Sequence, residues 1–136
     1  YPEYDAGLRW AMEQETTLFF GEVLAENLSL LNFIDSDFLY LNDRLARHYG
    51  IDGVEGPWMR KVPNPEGSHR GGLLTQASVM KVTAAGTVTS PVLRGKFVLE
   101  RILGTPPSPP PPGISAIEPD IRGATTVREQ LAKHKA

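Results

Sequence analysis

The chain has 136 residues, carries a formal net charge of −2 and contains no cysteine. Its length allows one domain with one modest core, and its small negative charge gives no electrostatic reason to expect a nucleic acid or an anionic membrane as partner. The lack of cysteine excludes disulfides, thiolate catalysis and covalent haem attachment within the chain. No apolar run is long enough to span a bilayer, and three scattered histidines argue against a transition-metal site made from this chain alone.

The first predicted element is an amphipathic helix over residues 5–26. Apolar residues recur there at spacings of four and seven positions, which is typical of a helix with one buried stripe. The stripe consists of Leu8, Met12, Phe19 and Val23. Three acidic residues of the same segment, Glu13, Glu15 and Glu22, are interpreted as part of the solvated face rather than as a carboxylate site.

A second helix is predicted over residues 38–49, after a break at residues 35–37. Ser36 or Asp37 is predicted to cap it by accepting a hydrogen bond from an N–H group of its first turn. Gly50 is predicted to end it, because glycine readily takes the left-handed conformation that often follows a helix. A short linker between the two helices predicts an antiparallel pair.

Residues 51–69 are expected to be irregular, because glycine and proline interrupt the segment every few positions. Residues 58–62 are interpreted as one short strand or an extended segment, with Trp58 covering the core. Ser68 and His69 are adjacent, but the sequence marks no carboxylate that would orient them as a nucleophile and its base. A hydrolytic site is therefore not favoured.

A third helix is predicted over residues 73–82, and residues 84–89 are predicted to form a loop with Gly86 at its tip. The next helix, over residues 91–103, has the clearest limits, since Ser90 is a suitable cap and proline is favoured at the first helical position. Its predicted buried stripe consists of Val92, Gly95, Val98, Leu99 and Ile102. The glycine in that stripe predicts the close approach of another backbone.

The segment TPPSPPPPGISAIEP, at residues 105–119, predicts an extended polyproline II strut. Such a strut either spaces two domains or lies along a surface. Thr126 and Glu129 have the spacing of a capping box that opens a last helix. Together these elements predict a mainly α fold, a small helical domain with long irregular loops and a C-terminal polyproline II segment.

Three segments resemble a set of large secreted proteins that are abundant in planctomycetes and their relatives. The segments are FLYLNDRLARHYGIDGVEGPWMRKV (38–62), RGGLLTQASVMKVTAAGTVTSPVLRGKFVLERILGTPPSPPPP (70–112) and TVREQLAKHKA (126–136). Those proteins carry cytochrome c-like segments beside several domains of unknown function. The resemblance therefore implies a piece of a multidomain, cytochrome-linked protein.

The resemblance implies three parts within the chain. Residues 1–38 resemble the helical end of a preceding domain, residues 39–112 a middle domain of unknown function, and residues 113–136 a linker and the start of a C-terminal helical region. In the family a Cys-x-x-Cys-His haem-attachment motif follows soon after that region, and the chain stops before it. The chain is therefore expected to be a fragment or a processed subunit of a larger protein.

The implied function is that of a scaffold or docking fragment of an extracytoplasmic c-type cytochrome oxidoreductase or electron-transfer protein. The chain would position a haem-bearing segment that lies outside it, with haem c in the flanking region. Its partner would be the rest of the parent polypeptide or a haem-bearing chain, and its location periplasmic, cell-surface or secreted. The chain contains no complete active site, and no substrate is implied.

Arg70 and Arg94 are then the candidate cofactor-binding residues, because a guanidinium group can pair with a haem propionate through two parallel hydrogen bonds. The alternative is that each arginine binds a loop carbonyl or pairs with a local acid. A second functional hypothesis is a non-enzymatic interaction module, in which the proline-rich strut at residues 106–112 binds an aromatic-lined groove of a partner or the helices dock a partner chain.

Overall fold

The computed structural model describes residues 4–85 and 88–109, together with Thr126, Arg128, Glu129 and Ala132. The chain divides into two compact units, Tyr1–Val82 and Thr83–Ala136. Most of the regular structure in the described residues is helical, and long irregular segments connect the elements of the first unit. The prediction of a mainly α fold is confirmed.

The first unit combines helices with one small sheet. Its elements are, in chain order, α1 (Ala6–Ala25), a 3-10 turn (Leu30–Phe33), β1 (Phe38–Leu41), α2 (Asp43–Tyr49), β2 (Arg60–Pro63), a second 3-10 turn (Leu73–Thr75) and α3 (Ala77–Val82). The side chain of Asp5 caps α1 by accepting a 2.8 Å hydrogen bond from the N–H of Leu8, which agrees with the predicted start of this helix. β1 and β2 pair antiparallel, with Leu39 opposite Val62.

The core of the first unit forms where α1 packs against β1, α2 and α3. One cluster contains Leu8, Ala11, Met12, Leu39, Leu41, Leu45, Ala46 and Ala77, and a second contains Phe19, Val23 and Phe38. The predicted buried stripe of α1 is therefore confirmed. Each large apolar side chain buried in this way stabilises the fold by about 1.5–3 kcal/mol relative to its exposed state.

The prediction of one helix over residues 38–49 is wrong, because the segment forms β1 followed by α2. Asn42 separates the two elements with an extended backbone, and its side chain caps α2 by accepting a 2.9 Å hydrogen bond from the N–H of Leu45. Neither Ser36 nor Asp37 is the cap. The pairing with β2 satisfies the backbone of β1. The predicted short linker between the two helices is wrong as well, because residues 26–42 separate α1 from α2.

The structure of the segment between α2 and α3 agrees better with the predictions made from the sequence. Gly50 ends α2 in the left-handed region, with φ of 68°, and β2 confirms a short strand near residues 58–62. Trp58, however, is 79% exposed, so the prediction that it covers the core is wrong. The helix predicted over residues 73–82 is present as a 3-10 turn followed by α3, which begins at Ala77.

The second unit begins with a two-stranded hairpin. Its elements are β3 (Ala84–Ala85), β4 (Val88–Thr89), α4 (Pro91–Phe97) and a π-helical turn (Val98–Ile102). The prediction of a plain loop over residues 84–89 is therefore wrong, and its tip at Gly86 lies outside the described residues. Ser90 caps α4 by accepting a 3.3 Å hydrogen bond from the N–H of Leu93, which confirms the predicted helix start.

The prediction of a buried stripe over α4 and the π-helical turn is wrong. Neither α4 nor the π-helical turn contains a buried residue, and Val92 is 73% exposed. Among the described residues, nothing lies within 4 Å of a Cβ placed on Gly95, so none of them makes the predicted close backbone approach. Helical periodicity identifies an apolar stripe, but burial also needs a partner element, which the spacing of residues does not reveal.

Two predictions for the C-terminal segment lie partly outside the described residues. The capping box is confirmed, because the N–H of Glu129 donates to Thr126 Oγ1 at 3.2 Å and the N–H of Thr126 donates to Glu129 Oε2 at 3.0 Å. Residues 106–109 are exposed and lie in no helix or strand, whereas residues 110–112 are not among the described residues. The polyproline II strut stays a prediction.

Two glycines allow a close backbone approach between distant segments of the first unit. Gly72 has a φ of 69°, and a Cβ there would lie 2.5 Å from the carbonyl oxygen of Phe33. A Cβ on Gly71 would lie 2.7 Å from a carboxylate oxygen of Asp35. A larger residue at Gly72 would push against the backbone of Phe33 and Ile34, whereas at Gly71 the Asp35 side chain can move aside.

We expect Gly72→Ala to destabilise the first unit by about 3 kcal/mol or more, because the new methyl group adds a backbone clash to the strain of a positive φ. Gly53→Ala is the matched control. Its φ is 81°, but a Cβ there would meet nothing within 4 Å, so we expect a loss of only about 1–2 kcal/mol. Urea unfolding of both variants measures the difference, and equal losses would contradict the close approach.

Candidate functional site

A buried carboxyl group lies in the core of the first unit. Glu15, near the middle of α1, is 1% exposed, so the prediction that it shares a solvated face with Glu13 and Glu22 is wrong. It follows Met12 by three residues and precedes Phe19 by four, and these spacings place it on the apolar stripe of the helix. The same spacings could have indicated its burial from the sequence.

The hydroxyl of Tyr49 connects this carboxyl group to two further helices. Tyr49, the last residue of α2, donates a 2.5 Å hydrogen bond to Glu15 Oε2. The same hydroxyl accepts a 2.8 Å hydrogen bond from the N–H of Ala77, the first residue of α3. Within the part of the chain that the structure describes, Glu15 Oε1 has no hydrogen-bond partner, which disfavours the ionised form of the carboxyl group.

Burial raises the pKa of Glu15 from 4.5 to about 7, because the carboxylate loses its hydration. The hydrogen bond from Tyr49, the N–H of Ala77 and the positive charge of Arg70 act in the opposite direction on this pKa. Burial, followed by the negative charge of Glu15, raises the pKa of Tyr49 well above its ordinary value. Tyr49 thus remains a donor at neutral pH, while Glu15 takes up or releases a proton near neutrality.

Arg70 covers the ring of Tyr49. Its guanidinium carbon lies 3.4 Å from the ring centroid, in cation–π geometry. Its Nη1 donates a 2.8 Å hydrogen bond to the carbonyl oxygen of Thr75, and its backbone N–H donates a 3.1 Å hydrogen bond to Ser68 Oγ. Arg70 therefore makes the loop-carbonyl contact expected under the alternative hypothesis, and its pairing with a haem propionate stays a prediction.

A cleft of about 680 Å³ opens beside Tyr49 and Arg70. Other residues that line it are Ile51, Asp52, Pro65, Glu66, Thr75 and Met80. Ser68 and His69 also line the cleft, but the described residues include no hydrogen bond between the serine hydroxyl and the histidine ring. This pair therefore lacks the arrangement of an activated nucleophile.

Arg94, the second candidate cofactor-binding residue, belongs to the second unit, where its Nε donates a 3.3 Å hydrogen bond to Thr83 Oγ1. Its pairing with a haem propionate stays a prediction.

Across residues 4–85 and 88–109, no group of three or more histidine, cysteine, aspartate or glutamate side chains could hold a metal ion. The helices of this described part are too short or too polar to cross a bilayer.

A second apolar surface of α1 lies beside its buried stripe, because Phe20 and Leu24 each follow a core residue by one position. Phe20 and Leu24 lie one turn apart on this side, and the ring of Phe20 is 5.5 Å from that of Phe33 in the first 3-10 turn. Five exposed apolar residues of α1 and the region of the first 3-10 turn form the exposed apolar face: Phe20, Leu24, Leu30, Leu31 and Ile34. The predicted single buried stripe did not anticipate this surface.

Two family models match separate parts of the chain. Residues 1–51 match PSD4, a protein of unknown function (DUF1592), and residues 70–136 match PSCyt3, a protein of unknown function (DUF1588). No curated protein and no solved structure matches the chain significantly. The matches support an architecture of several domains of unknown function, while the predicted boundaries near residues 38 and 112 stay predictions.

The raised pKa of Glu15 predicts that the free energy of unfolding falls as the pH rises from about 5 to about 8. Between the ordinary pKa of 4.5 and the folded value of about 7, the folded state holds a proton that the unfolded state has released. Stability therefore decreases through this window, by about 3 kcal/mol in total, and levels off above it. Glu15→Gln should remove most of this decrease in urea unfolding measured across the same pH range.

Glu13→Gln is the matched control, because Glu13 is an exposed glutamate on the same helix. This variant should keep the pH dependence of the unsubstituted chain. If Glu15→Gln has the same pH dependence as the unsubstituted chain, the carboxyl group does not titrate near neutrality and the prediction is wrong.

Proposed function

We propose that the chain is a scaffold or docking fragment of an extracytoplasmic c-type cytochrome oxidoreductase or electron-transfer protein. It positions a haem-bearing segment that lies outside the chain. The observation that carries the docking role is the exposed apolar face on α1 and the first 3-10 turn. The link to a cytochrome rests on the sequence resemblance, and the two family matches are compatible with it.

The exposed apolar face has the character of a contact surface. Leu24 and Leu31 are 63% and 69% exposed. A partner that buries a leucine side chain gains about 1.5–3 kcal/mol in association free energy, so covering these residues would favour binding. Phe20 and Leu24 widen the apolar face of α1 beyond the stripe that its own unit buries, and such a widened face is suited to a further covering element. Contiguous exposed apolar patches generally mark protein–protein interaction sites.

The chain does not offer a covalent haem site of its own, since it contains no cysteine. Haem c therefore belongs to the flanking region in this proposal. Arg70 and Arg94 are the residues proposed to meet its propionates, because each presents a guanidinium group that can pair with a carboxylate. The partner is the rest of the parent polypeptide or a separate haem-bearing chain, outside the cytoplasm.

A second candidate function is a non-enzymatic interaction module that uses the proline-rich strut. The exposure of residues 106–109 favours it, because an accessible proline-rich segment can dock into an aromatic-lined groove. This function requires that binding depend on the prolines rather than on the exposed apolar face. The two candidates can therefore be separated by variants of the two surfaces.

We expect the double substitution Leu24→Glu and Leu31→Glu to weaken binding between the chain and the haem-bearing segment of its parent protein by about tenfold or more. The fold should persist, because both side chains are already exposed. Calorimetric titration measures the affinity, and circular dichroism checks the fold. Trp58→Glu is the matched control, since Trp58 is an exposed apolar residue outside the exposed apolar face.

Unchanged binding by the double variant, or an equal loss with Trp58→Glu, would contradict docking through the exposed apolar face. Replacement of Pro106, Pro107 and Pro109 by alanine tests the second candidate function in the same titration. If only these proline replacements weaken binding, the interaction module is the better account.

Arg94→Met is expected to lower the reduction potential of the haem in the intact parent holoprotein by an amount on the order of tens of millivolts. The reason is that a nearby positive charge favours the reduced, less positive haem. Spectroscopic redox titration measures the potential. Arg101→Met, which alters another arginine of the same unit, should leave it unchanged. An unchanged potential and absorption spectrum in Arg94→Met would argue against a propionate contact.

A further inference from the structure

The cleft beside Tyr49 has the dimensions and the lining of a small-molecule site. Its volume of about 680 Å³ lies within the usual range for such sites, which is roughly 300–1,000 Å³. Ile51, Pro65 and Met80 supply apolar lining, and Arg70 supplies a positive charge. A ligand that fits both features has an apolar body and one negatively charged group.

Arg70 is held in place before any ligand arrives. Its guanidinium group is stacked on the ring of Tyr49 and its Nη1 is bound to the carbonyl oxygen of Thr75. The side chain amide of Asn64 fixes the backbone by donating a 2.5 Å hydrogen bond to the carbonyl oxygen of Arg70. Tyr49 is in turn fixed by Glu15. A fork of N–H groups held in this way loses little further entropy when it binds a partner.

One edge of this guanidinium group remains available. Among the described residues, Nε and Nη2 of Arg70 have no hydrogen-bond partner, and no carboxylate lies within ion-pair distance of the side chain. Glu15 is bound to Tyr49 instead and influences Arg70 only through its charge. The pair of free donors matches the two oxygens of a carboxylate.

We propose that this cleft binds a small organic monocarboxylate, with its carboxylate paired to Arg70 and its apolar body against Ile51, Pro65 and Met80. Asp52 and Glu66 line the same cleft, and their negative charges oppose every anion, so that a ligand with several negative groups is disfavoured more than one whose single carboxylate pairs with Arg70. The carboxylate belongs either to a free metabolite-sized molecule or to a haem propionate. Only the second source rests on the proposed function.

The test uses phenylacetate as the probe, titrated into ¹⁵N-labelled chain and followed by NMR. We expect saturable shifts confined to amides of the cleft, such as those of Gly67 and Ser68. Phenylacetamide, which has the same shape without the charge, should bind about tenfold more weakly or worse. Arg70→Gln should weaken phenylacetate binding by a similar factor, whereas Arg60→Gln, at an exposed arginine outside the cleft, should not.

Arg70→Lys keeps the positive charge but removes the two parallel N–H donors of the guanidinium group, so it tests the site even if Arg70→Gln fails to fold. It too should weaken phenylacetate binding. A second probe, a haem peptide with free propionates, is compared with its dimethyl ester to identify the source of the carboxylate. If phenylacetate binds and its binding depends on Arg70, the ligand of the cleft is a free carboxylate. If only the haem peptide binds, and its dimethyl ester does not, the ligand is a haem propionate.

The proposal is overturned if neither probe binds in the cleft. It is also overturned if phenylacetamide binds as tightly as phenylacetate, or if folded Arg70→Gln and Arg70→Lys bind phenylacetate with unchanged affinity. If phenylacetate binds in the cleft and the haem peptide does not, the proposed carboxylate site is supported, and only the propionate contact at Arg70 is contradicted.

Discussion

The hydrogen bond between the Tyr49 hydroxyl and the buried carboxyl group of Glu15 joins the helices of the first unit at one point. The hydroxyl also accepts the N–H of Ala77, so that α1, α2 and α3 meet there. A second polar contact between α1 and the start of α3 runs from Thr16 Oγ1 to Gln76 Oε1 at 2.7 Å. Because hydrogen bonds are directional, these contacts fix the relative positions of helices that share only a small apolar core.

This arrangement has a cost, because a glutamate buried with one oxygen unpaired destabilises the fold once it ionises. A leucine at position 15 would avoid that cost. The glutamate instead orients Tyr49, and the ring of Tyr49 supports Arg70 at the edge of the cleft. Perturbed titratable groups beside a cleft are a common property of functional sites, which supports the proposed binding of a ligand beside this polar cluster.

The two surfaces of the first unit suit different partners. The exposed apolar face offers leucine and isoleucine side chains with no charged group among its members, which suits a protein surface. The cleft combines apolar lining with one fixed guanidinium group, which suits a single carboxylate. Both depend on α1, since this helix carries Glu15 in its buried stripe and part of the exposed apolar face beside that stripe. Positioning of a neighbour and recognition of a ligand can therefore occur on one small unit.

The sequence alone determined those features that depend on neighbours a few residues apart. They include the limits of α1, the left-handed Gly50, the start of α4 after Ser90 and the capping box at Thr126. Only the tertiary structure decided the strand pairing of residues 38–41, the hydrogen bond between Tyr49 and Glu15, the exposure of Trp58 and the stacking of Arg70. Each of these depends on a segment distant along the chain, and helical spacing or local capping carries no information about such a partner.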